Sequence, residues 1–258
     1  MPDARKIWAL DGAVATVEAS ALVVGLPGQI RIPFPSFLIE HPNGLVLVDT
    51  GLAPEAVGDP SAFYGAMADA VDFRFETEHR VDKQVEARGY RVEDVTHVVV
   101  THAHIDHTGG IRLFPNASLL IGALDLPYAL YPPPEDRLLY RADDFRPTLA
   151  REWDSVRGDR DLFGDGSITI LSMPGHTPGN SSVLVRLRHR TVLLTGDTVH
   201  LQQAFDDELY MPGDFDEAGA VASVRRLKQI AAREEALVWI AHDPEHWDRW
   251  RADAGYVA

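Results

Sequence analysis

Three histidines and one aspartate fall within six positions, directly after an apolar run. They are His102, His104, Asp106 and His107, and the run is residues 98–100. Because alternate side chains of an extended segment point to the same side, His102 and His104 can reach one metal ion. Asp106 and His107 follow where the chain turns, so they can face a second ion. Imidazole and carboxylate ligands suit zinc and its first-row neighbours, and the spacing therefore predicts a two-metal centre.

Three further candidate ligands stand at the ends of predicted strands. His176 follows a strand that ends near Met173, Asp197 closes residues 193–197, and His242 follows residues 238–241. A lone residue of this kind is more often structural. Three of them in a chain that already holds the dense cluster favour ligation, since rigid scaffolds commonly carry functional groups on the loops at strand ends.

The elements that must position these residues are short strands and a few helices. An Asn-Gly pair predicts a hairpin, and apolar positions at helical spacing predict two helices. The predicted strands cover residues 36–40, 45–49, 95–101, 167–173, 182–187, 191–195 and 237–241, and the helices cover 80–88 and 218–235. Residues 123–165 are the least regular part. We expect an α/β (α+β) fold of helix-covered sheets, with a single domain over residues 1–258.

The composition describes an acidic chain that can bury a sizeable core. It has 258 residues, 45% of them hydrophobic, and a formal net charge of −15. This charge disfavours nucleic acid as a partner, because its binding relies on Lys and Arg that neutralise phosphates. Cysteine is absent, no run approaches the roughly 18–20 apolar residues of a membrane span, and residues 1–8 lack the apolar core of a secretory signal. We therefore expect a cytoplasmic protein without a membrane partner.

The cluster at 102–107, together with the three later candidates, resembles the metallo-β-lactamase superfamily along most of the chain. The resemblance implies a four-layer αββα sandwich with a dinuclear metal site at one edge of its two sheets. The ligands that it implies are His102, His104 and His176 for one metal, Asp106, His107 and His242 for the other, and Asp197 as the bridge.

The implied cofactors are two divalent ions, zinc first, with manganese, iron or cobalt as alternatives for the same ligands. Two ions about 3.5–4 Å apart can share a water and deprotonate it, so that a bridging hydroxide is the expected nucleophile. Asp106 can then carry a proton to the leaving oxygen. The resemblance also implies that Asp49 orients the metal-binding imidazoles.

Within the superfamily, the chain is most similar to the N-acyl homoserine lactonases. Residues 45–51, 174–179 and 241–243 carry this resemblance. A thioesterase of the glyoxalase II type would carry a further helical region, yet only sixteen residues follow His242. The chain departs from the lactonases at His200, where they usually have a tyrosine. His200 either donates a hydrogen bond or a proton to a lactone, or marks a shifted substrate such as another lactone, an aryl ester or a phosphotriester.

An apolar cleft beside the metals would suit an ester with an apolar tail. The candidate substrate contacts are Phe34, Phe63, Tyr64, Met67, Phe73 and His200, with Phe37 as a further aromatic that can line the cleft. For each apolar side chain, core packing explains the spacing equally well. His41, in the hairpin turn, is expected to be solvated. The expected partner is a small ester or lactone, and the expected assembly is a monomer or homodimer. The rival from another class is a non-catalytic metal-binding protein of the same fold.

Overall fold

The structure is a computed structural model that describes residues 3–69, 71–134, 136–252 and 256–257. Its strands are β1 (Lys6–Leu10), β2 (Val14–Glu18), β3 (Gln29–Pro33), β4 (Ser36–His41), β5 (Gly44–Val48), β6 (Asp72–Arg74), β7 (Val95–Val100), β8 (Ser118–Gly122), β9 (Trp153–Val156), β10 (Arg160–Asp161), β11 (Ile168–Ser172), β12 (Ser181–Arg186), β13 (Thr191–Leu194), β14 (Leu237–Trp239) and β15 (Tyr256–Val257). Its α-helices are α1 (Pro60–Tyr64), α2 (Ala66–Asp69), α3 (Val81–Ala87), α4 (Ile105–Thr108), α5 (Asp125–Leu130), α6 (Ala142–Phe145), α7 (Gln202–Asp207), α8 (Glu217–Arg233) and α9 (Pro244–Ala252).

The strands form two large sheets and one small sheet. The first sheet has the order β15-β1-β4-β5-β7-β8-β9, the second β10-β11-β12-β13-β14, and the small one β3-β2-β6. In the first sheet β5, β7, β8 and β9 are parallel, and in the second β13 and β14 are parallel. The parallel runs matter for function because their carboxyl ends lie along the same edge of each sheet.

Alternating apolar side chains create the layers. In β4, Ile39 faces a core between the two large sheets that includes Val183, whereas Leu38 faces a second core that includes Val85 of α3. In the second sheet, Leu193 packs outward against a third core that includes helix α8. Helices therefore cover both outer faces, and the predicted four-layer αββα sandwich is confirmed. Over the described ranges, no helix is long and apolar enough to cross a membrane.

Two side chains lie elsewhere than the sequence suggested. Phe37 belongs to the core between the sheets, where its ring centroid is 5.8 Å from that of Trp239, so it does not line a cleft. His41 is buried rather than solvated. Its Nδ1 accepts the Asn43 N–H at 3.1 Å, its Nε2 lies 3.0 Å from Ser167 Oγ, and Phe163 stacks on its ring. His41 thus joins the hairpin turn of the first sheet to a loop of the second.

Candidate metal centre and its cavity

The candidate ligands gather at one edge of the sandwich because the strands that precede them end there. His102 follows β7, His176 follows β11, Asp197 follows β13 and His242 follows β14. Strands β11, β13 and β14 run in the same direction, so their three following loops reach a common edge, where the loop after β7 meets them. The side chains of these four residues are almost fully buried.

The first ligand group consists of His102, His104 and His176. His104 Nδ1 and His176 Nε2 are 3.1 Å apart. Two nitrogens that bind one tetrahedral zinc at about 2.0–2.1 Å lie about 3.3 Å from each other. The nitrogens of this group thus have nearly the separation that a shared ion requires.

The second ligand group consists of Asp106, His107, Asp197 and His242. Asp106 Oδ2 lies 3.2 Å from His107 Nε2 and 3.8 Å from His242 Nε2. Each member offers one ligand atom, and these atoms all lie within 4.8 Å of one another. Two imidazoles and two carboxylates form a donor set that suits zinc, manganese, iron or cobalt.

Asp197 faces both groups with different oxygens. Its Oδ2 is 3.7 Å from His102 Nε2 and 3.6 Å from His176 Nε2. Its Oδ1 is 3.4 Å from His107 Nε2 and 3.1 Å from His242 Nε2. A carboxylate placed in this way can bridge two ions.

The polar atoms of the centre fit divalent cations. His102 Nε2 and His107 Nε2 are buried and have no hydrogen-bond partner among the described residues, which is costly unless another group meets them. Burial, reinforced by neighbouring imidazoles, holds the pKa of His102 and of His104 well below the usual value, so these rings are neutral. Burial alone would raise the pKa of Asp106, but His107 lowers it to about 2. Neutral imidazoles and ionised carboxylates are the forms that bind metals.

Asp49 lies directly behind the second group. Its Oδ2 is 2.8 Å from His107 Nδ1, and its two oxygens accept the N–H and the hydroxyl of Thr101 at 2.7 and 2.8 Å. The backbone of Asp49 has a φ of +60°, which is uncommon for a residue with a side chain and is often found at functional sites. With these contacts Asp49 can orient the His107 ring, and the orienting role that the family resemblance implied stays a prediction.

A cavity opens directly onto the metal centre. Its volume is about 170 Å³. Its inner end is formed by His104, Asp106, His176, Asp197 and His200, and the rest of its wall is apolar. Among the residues that the structure describes, no lysine or arginine lines it, so the cavity suits an uncharged, largely apolar ligand.

Comparison with known proteins agrees with this geometry. The family described as the metallo-beta-lactamase superfamily matches residues 35–242. The chain belongs to this superfamily. It is 35% identical over 239 residues to N-acyl homoserine lactonase AttM of Azorhizobium caulinodans, which covers 90% of each chain. It is 31% identical over 222 residues to an N-acyl homoserine lactonase of Bacillus cereus, which covers 85% of each chain.

A solved structure extends the likeness to three dimensions. It is an N-acyl homoserine lactone hydrolase with the product N-hexanoyl-L-homoserine bound at its catalytic metal center. The TM-score is 0.85 at 25% sequence identity, over 96% of each chain. Within the metallo-beta-lactamase superfamily, the chain is therefore a member of the N-acyl homoserine lactonase family, as the sequence resemblance implied.

His200 stands where the resemblance led us to expect the lactonase tyrosine. It is buried, and its Nε2 is 3.1 Å from Asp197 Oδ2. With His176 and Asp197 it forms a third group of convergent ligand atoms. Burial lowers the pKa of His200, although Asp197 acts in the opposite direction, so the ring is neutral and carries one N–H. The residue also lines the cavity, where it can meet a substrate.

The apolar residues that the sequence suggested as substrate contacts divide into two sets. Phe34, Met67 and Phe73 line the cavity. Phe63 and Tyr64 are not among the lining residues. The guanidinium of Arg141 lies 4.4 Å from the centre of the Phe63 ring, and the Tyr64 hydroxyl accepts the N–H of Ala53 at 2.8 Å.

Two buried carboxylates beside the centre were missed at the sequence level. Asp125 accepts the N–H groups of Ala103 and Gly179, at 2.9 and 2.6 Å, and the hydroxyl of Thr177 at 3.0 Å. It therefore joins the loop of the first histidines to the loop of His176. Asp214 Oδ1 is 2.8 Å from His176 Nδ1. The Pro-Gly pair before Asp214 marks a turn, which is the one sequence signal near it.

Proposed function

We propose that this protein is a metal-dependent hydrolase that opens the ring of N-acyl homoserine lactones or closely related lactones. One observation carries the proposal: an apolar cavity, with no lysine or arginine among the described residues of its wall, ends on two convergent groups of candidate metal ligands. A lactone with an acyl tail has the matching chemistry, with a polar ester at one end and an apolar chain at the other. The lactonase relatives support the same substrate class.

We propose two divalent ions at the centre, with zinc as the first candidate and manganese, iron or cobalt as alternatives. His102, His104 and His176 would hold one ion, the group of Asp106, His107 and His242 the other, and Asp197 would contact both. When bound, such ions polarise an ester carbonyl and lower the pKa of a water.

The protein's own residues have distinct tasks in this reaction. Hydrolysis adds water across the ring ester: a bond forms between the acyl carbon and a water oxygen, the ring C–O bond breaks, and the ring oxygen takes a proton. Asp106 lines the cavity and, with a pKa of about 2, is ionised at neutral pH, so it can accept a proton and return it to the leaving oxygen. His200 lines the cavity wall, and its ring can hydrogen-bond the carbonyl or the leaving oxygen when its single N–H is released from Asp197. The apolar wall of the cavity would keep water away from the acyl tail of the substrate.

A panel of substrates tests the proposal. The zinc-loaded protein is incubated with acyl homoserine lactones of several tail lengths, aliphatic lactones, aryl esters and phosphotriesters, and the products are quantified by chromatography. We expect the highest kcat/KM for an acyl homoserine lactone. The control is His104→Ala, which should lose at least one metal and nearly all activity. Two bound metals without hydrolysis of any ester would contradict the proposal and favour a non-catalytic metal-binding protein.

A second candidate function is hydrolysis of aryl esters or phosphotriesters at the same centre. His200 favours it, because an imidazole instead of the tyrosine changes the donor that meets the substrate. A higher kcat/KM for one of these substrates than for every lactone in the panel would select this second function.

We also propose that the protein is a cytoplasmic monomer or homodimer. Light scattering after size-exclusion chromatography would determine its oligomeric state.

A further inference from the structure

Asp214 lies beside the metal centre without being a member of the ligand groups. Its Oδ1 is 2.8 Å from His176 Nδ1, and both side chains are at most 4% exposed. Because a carboxylate accepts at Nδ1, that nitrogen carries the ring proton, and Nε2 keeps its lone pair for a metal. A carboxylate on the far nitrogen also raises the basicity of a metal-binding imidazole.

The other carboxylate oxygen of Asp214 holds a tight turn. Asp214 Oδ2 accepts the N–H of Met211 at 3.0 Å, and the Asp214 N–H donates to the Met211 carbonyl, also at 3.0 Å. Between them lie Pro212 and Gly213, and Gly213 has a φ of +94°. This is the pattern of a type II turn, which favours proline second and requires positive φ third. The turn therefore fixes the Asp214 carboxylate independently of the metal centre.

The same turn connects the His176 loop to the cavity wall. The Phe215 N–H donates to the His176 carbonyl at 3.2 Å, and the Asp216 N–H donates to the Gly175 carbonyl at 2.9 Å. On its other side, Met211 lines the cavity. The buried Asp214 carboxylate thus contacts both a candidate metal ligand, His176, and a residue of the cavity wall, Met211.

We propose that Asp214 is a positioning residue for the first ligand group: it selects the Nδ1–H tautomer of His176 and thereby sets the metal affinity of that group. The second group depends on Asp49 in the same way, through His107. The inference rests on the proposed function only in requiring the metal centre. Metal binding is measured without a substrate, so a protein that hydrolyses no lactone still tests it.

The first test is a zinc titration of the metal-free protein in competition with a chromophoric chelator. In Asp214→Asn, the amide NH₂ faces either His176 Nδ1 or the Met211 N–H, so one contact is lost. We expect one of the two ions to bind about 10–100-fold more weakly. The matched control is Asp216→Asn, two residues along the same loop. Asp216 caps helix α8 by accepting the Gly219 N–H at 3.0 Å, and asparagine caps a helix equally well, so both affinities should be unchanged.

Two further variants identify which of the two ions binds more weakly after the Asp214→Asn substitution. In His242→Ala, whose second group is incomplete, adding Asp214→Asn should weaken the remaining ion. In His102→Ala, whose first group is incomplete, the same substitution should leave the remaining ion unchanged. Weakening in both backgrounds, or in neither, would overturn the proposal.

A direct measurement of the tautomer does not depend on the folding of any variant. Nitrogen-15 NMR of the histidines in the metal-free wild-type protein should show His176 protonated at Nδ1. A His176 protonated at Nε2 there would also overturn the proposal.

Discussion

At the scale of single residues, His200 stands between the metal centre and the cavity. Its Nε2 contacts the shared carboxylate of Asp197, and its ring lines the space that a substrate would fill. A substitution at His200 can therefore separate an effect on turnover from an effect on metal content.

We expect His200→Ala to lower kcat about 100-fold, since a positioned donor or acid contributes typically 10²–10⁴-fold. Metal content, measured by plasma mass spectrometry, should stay at the wild-type level. His200→Tyr supplies a hydroxyl donor at the same position and should recover much of the lost turnover. If His200→Ala lost metal and turnover in equal proportion, the residue would support the metal site rather than the substrate.

A second prediction concerns the protons that the metals displace. Burial favours the neutral rings of His107 and His242, but neighbouring carboxylates outweigh it, so the pKa is well above its usual value for His107 and raised for His242. Below these raised values, both rings are protonated in the metal-free protein and must release protons to bind metal. Calorimetric zinc titrations in two buffers of different ionisation enthalpy should show proton release and an affinity that falls as the pH falls.

The stability of the metal-free fold depends on pH in the opposite direction from the metal affinity. A raised pKa in the folded, metal-free protein stabilises the fold at low pH, and this contribution is lost as the pH rises through the raised values. Over the same range, metal affinity rises. An affinity that does not depend on pH would contradict the charge state deduced for these two histidines.

The convergence of the candidate metal ligands could be predicted because their residue types are few and each candidate lies in a segment that follows a strand. Of the carboxylates behind them, Asp49 was expected from the family resemblance, whereas Asp125 and Asp214 were not. Asp125 accepts hydrogen bonds from Ala103 and Gly179, which lie 22 and 54 residues away in the chain. A carboxylate that acts through a neighbour obeys no spacing rule, so only the folded chain brings it to its partners.

At the scale of elements, the small sheet and helix α2 build the cavity wall. Val17 of β2, Ile32 of β3 and Phe73 of β6 line it together with Met67 of α2. These elements lie outside the layers of the sandwich proper, so they can change the substrate without changing the metal centre.

Met67→Ala should weaken the binding of long acyl tails selectively. Loss of the contact with about two methylene groups corresponds to roughly 1.6 kcal/mol, or about a tenfold rise in KM for a long tail relative to a short one. The control is Phe63→Ala in the neighbouring helix α1, whose ring packs near Arg141 outside the cavity wall. Equal effects of both variants on the tail-length preference would contradict the assignment of the wall.

The long, regular elements of the sandwich could be predicted from the sequence, whereas the short elements within residues 123–165 could not. Helix α8 begins and ends within two residues of the prediction because its apolar stripe is long and periodic. Residues 123–165, which looked irregular, contain helices α5 and α6 and strand β9. These elements have four to six residues each, which is too few turns or alternations for a pattern to show.

At the scale of the whole molecule, the metal centre joins the two sheets. The cluster at 102–107 follows β7 of the first sheet, while His176, Asp197 and His242 follow strands of the second. Bound ions would therefore hold the two halves of the sandwich together at this edge.

Removal of the metals should lower the thermal stability of the protein. A ligand at about 1,000 times its Kd stabilises a fold by about 4 kcal/mol, which for a chain of this size corresponds to roughly 10 °C in Tm. Calorimetric scans before and after chelation should show this difference, and added zinc should reverse it. An unchanged Tm would mean that the centre contributes nothing to joining the sheets.

The division of the ligands between the sheets has a consequence for biosynthesis. Strands β1 to β9, together with the cluster at 102–107, leave the ribosome before any residue of the second sheet. Until His242 has emerged, a nascent chain can offer an ion only part of its final ligands. If the centre binds metal as proposed, tight loading would therefore be a late event in the life of the polypeptide. A chain interrupted before residue 176 would leave the four candidate ligands of the cluster at 102–107 without the partners that complete either group.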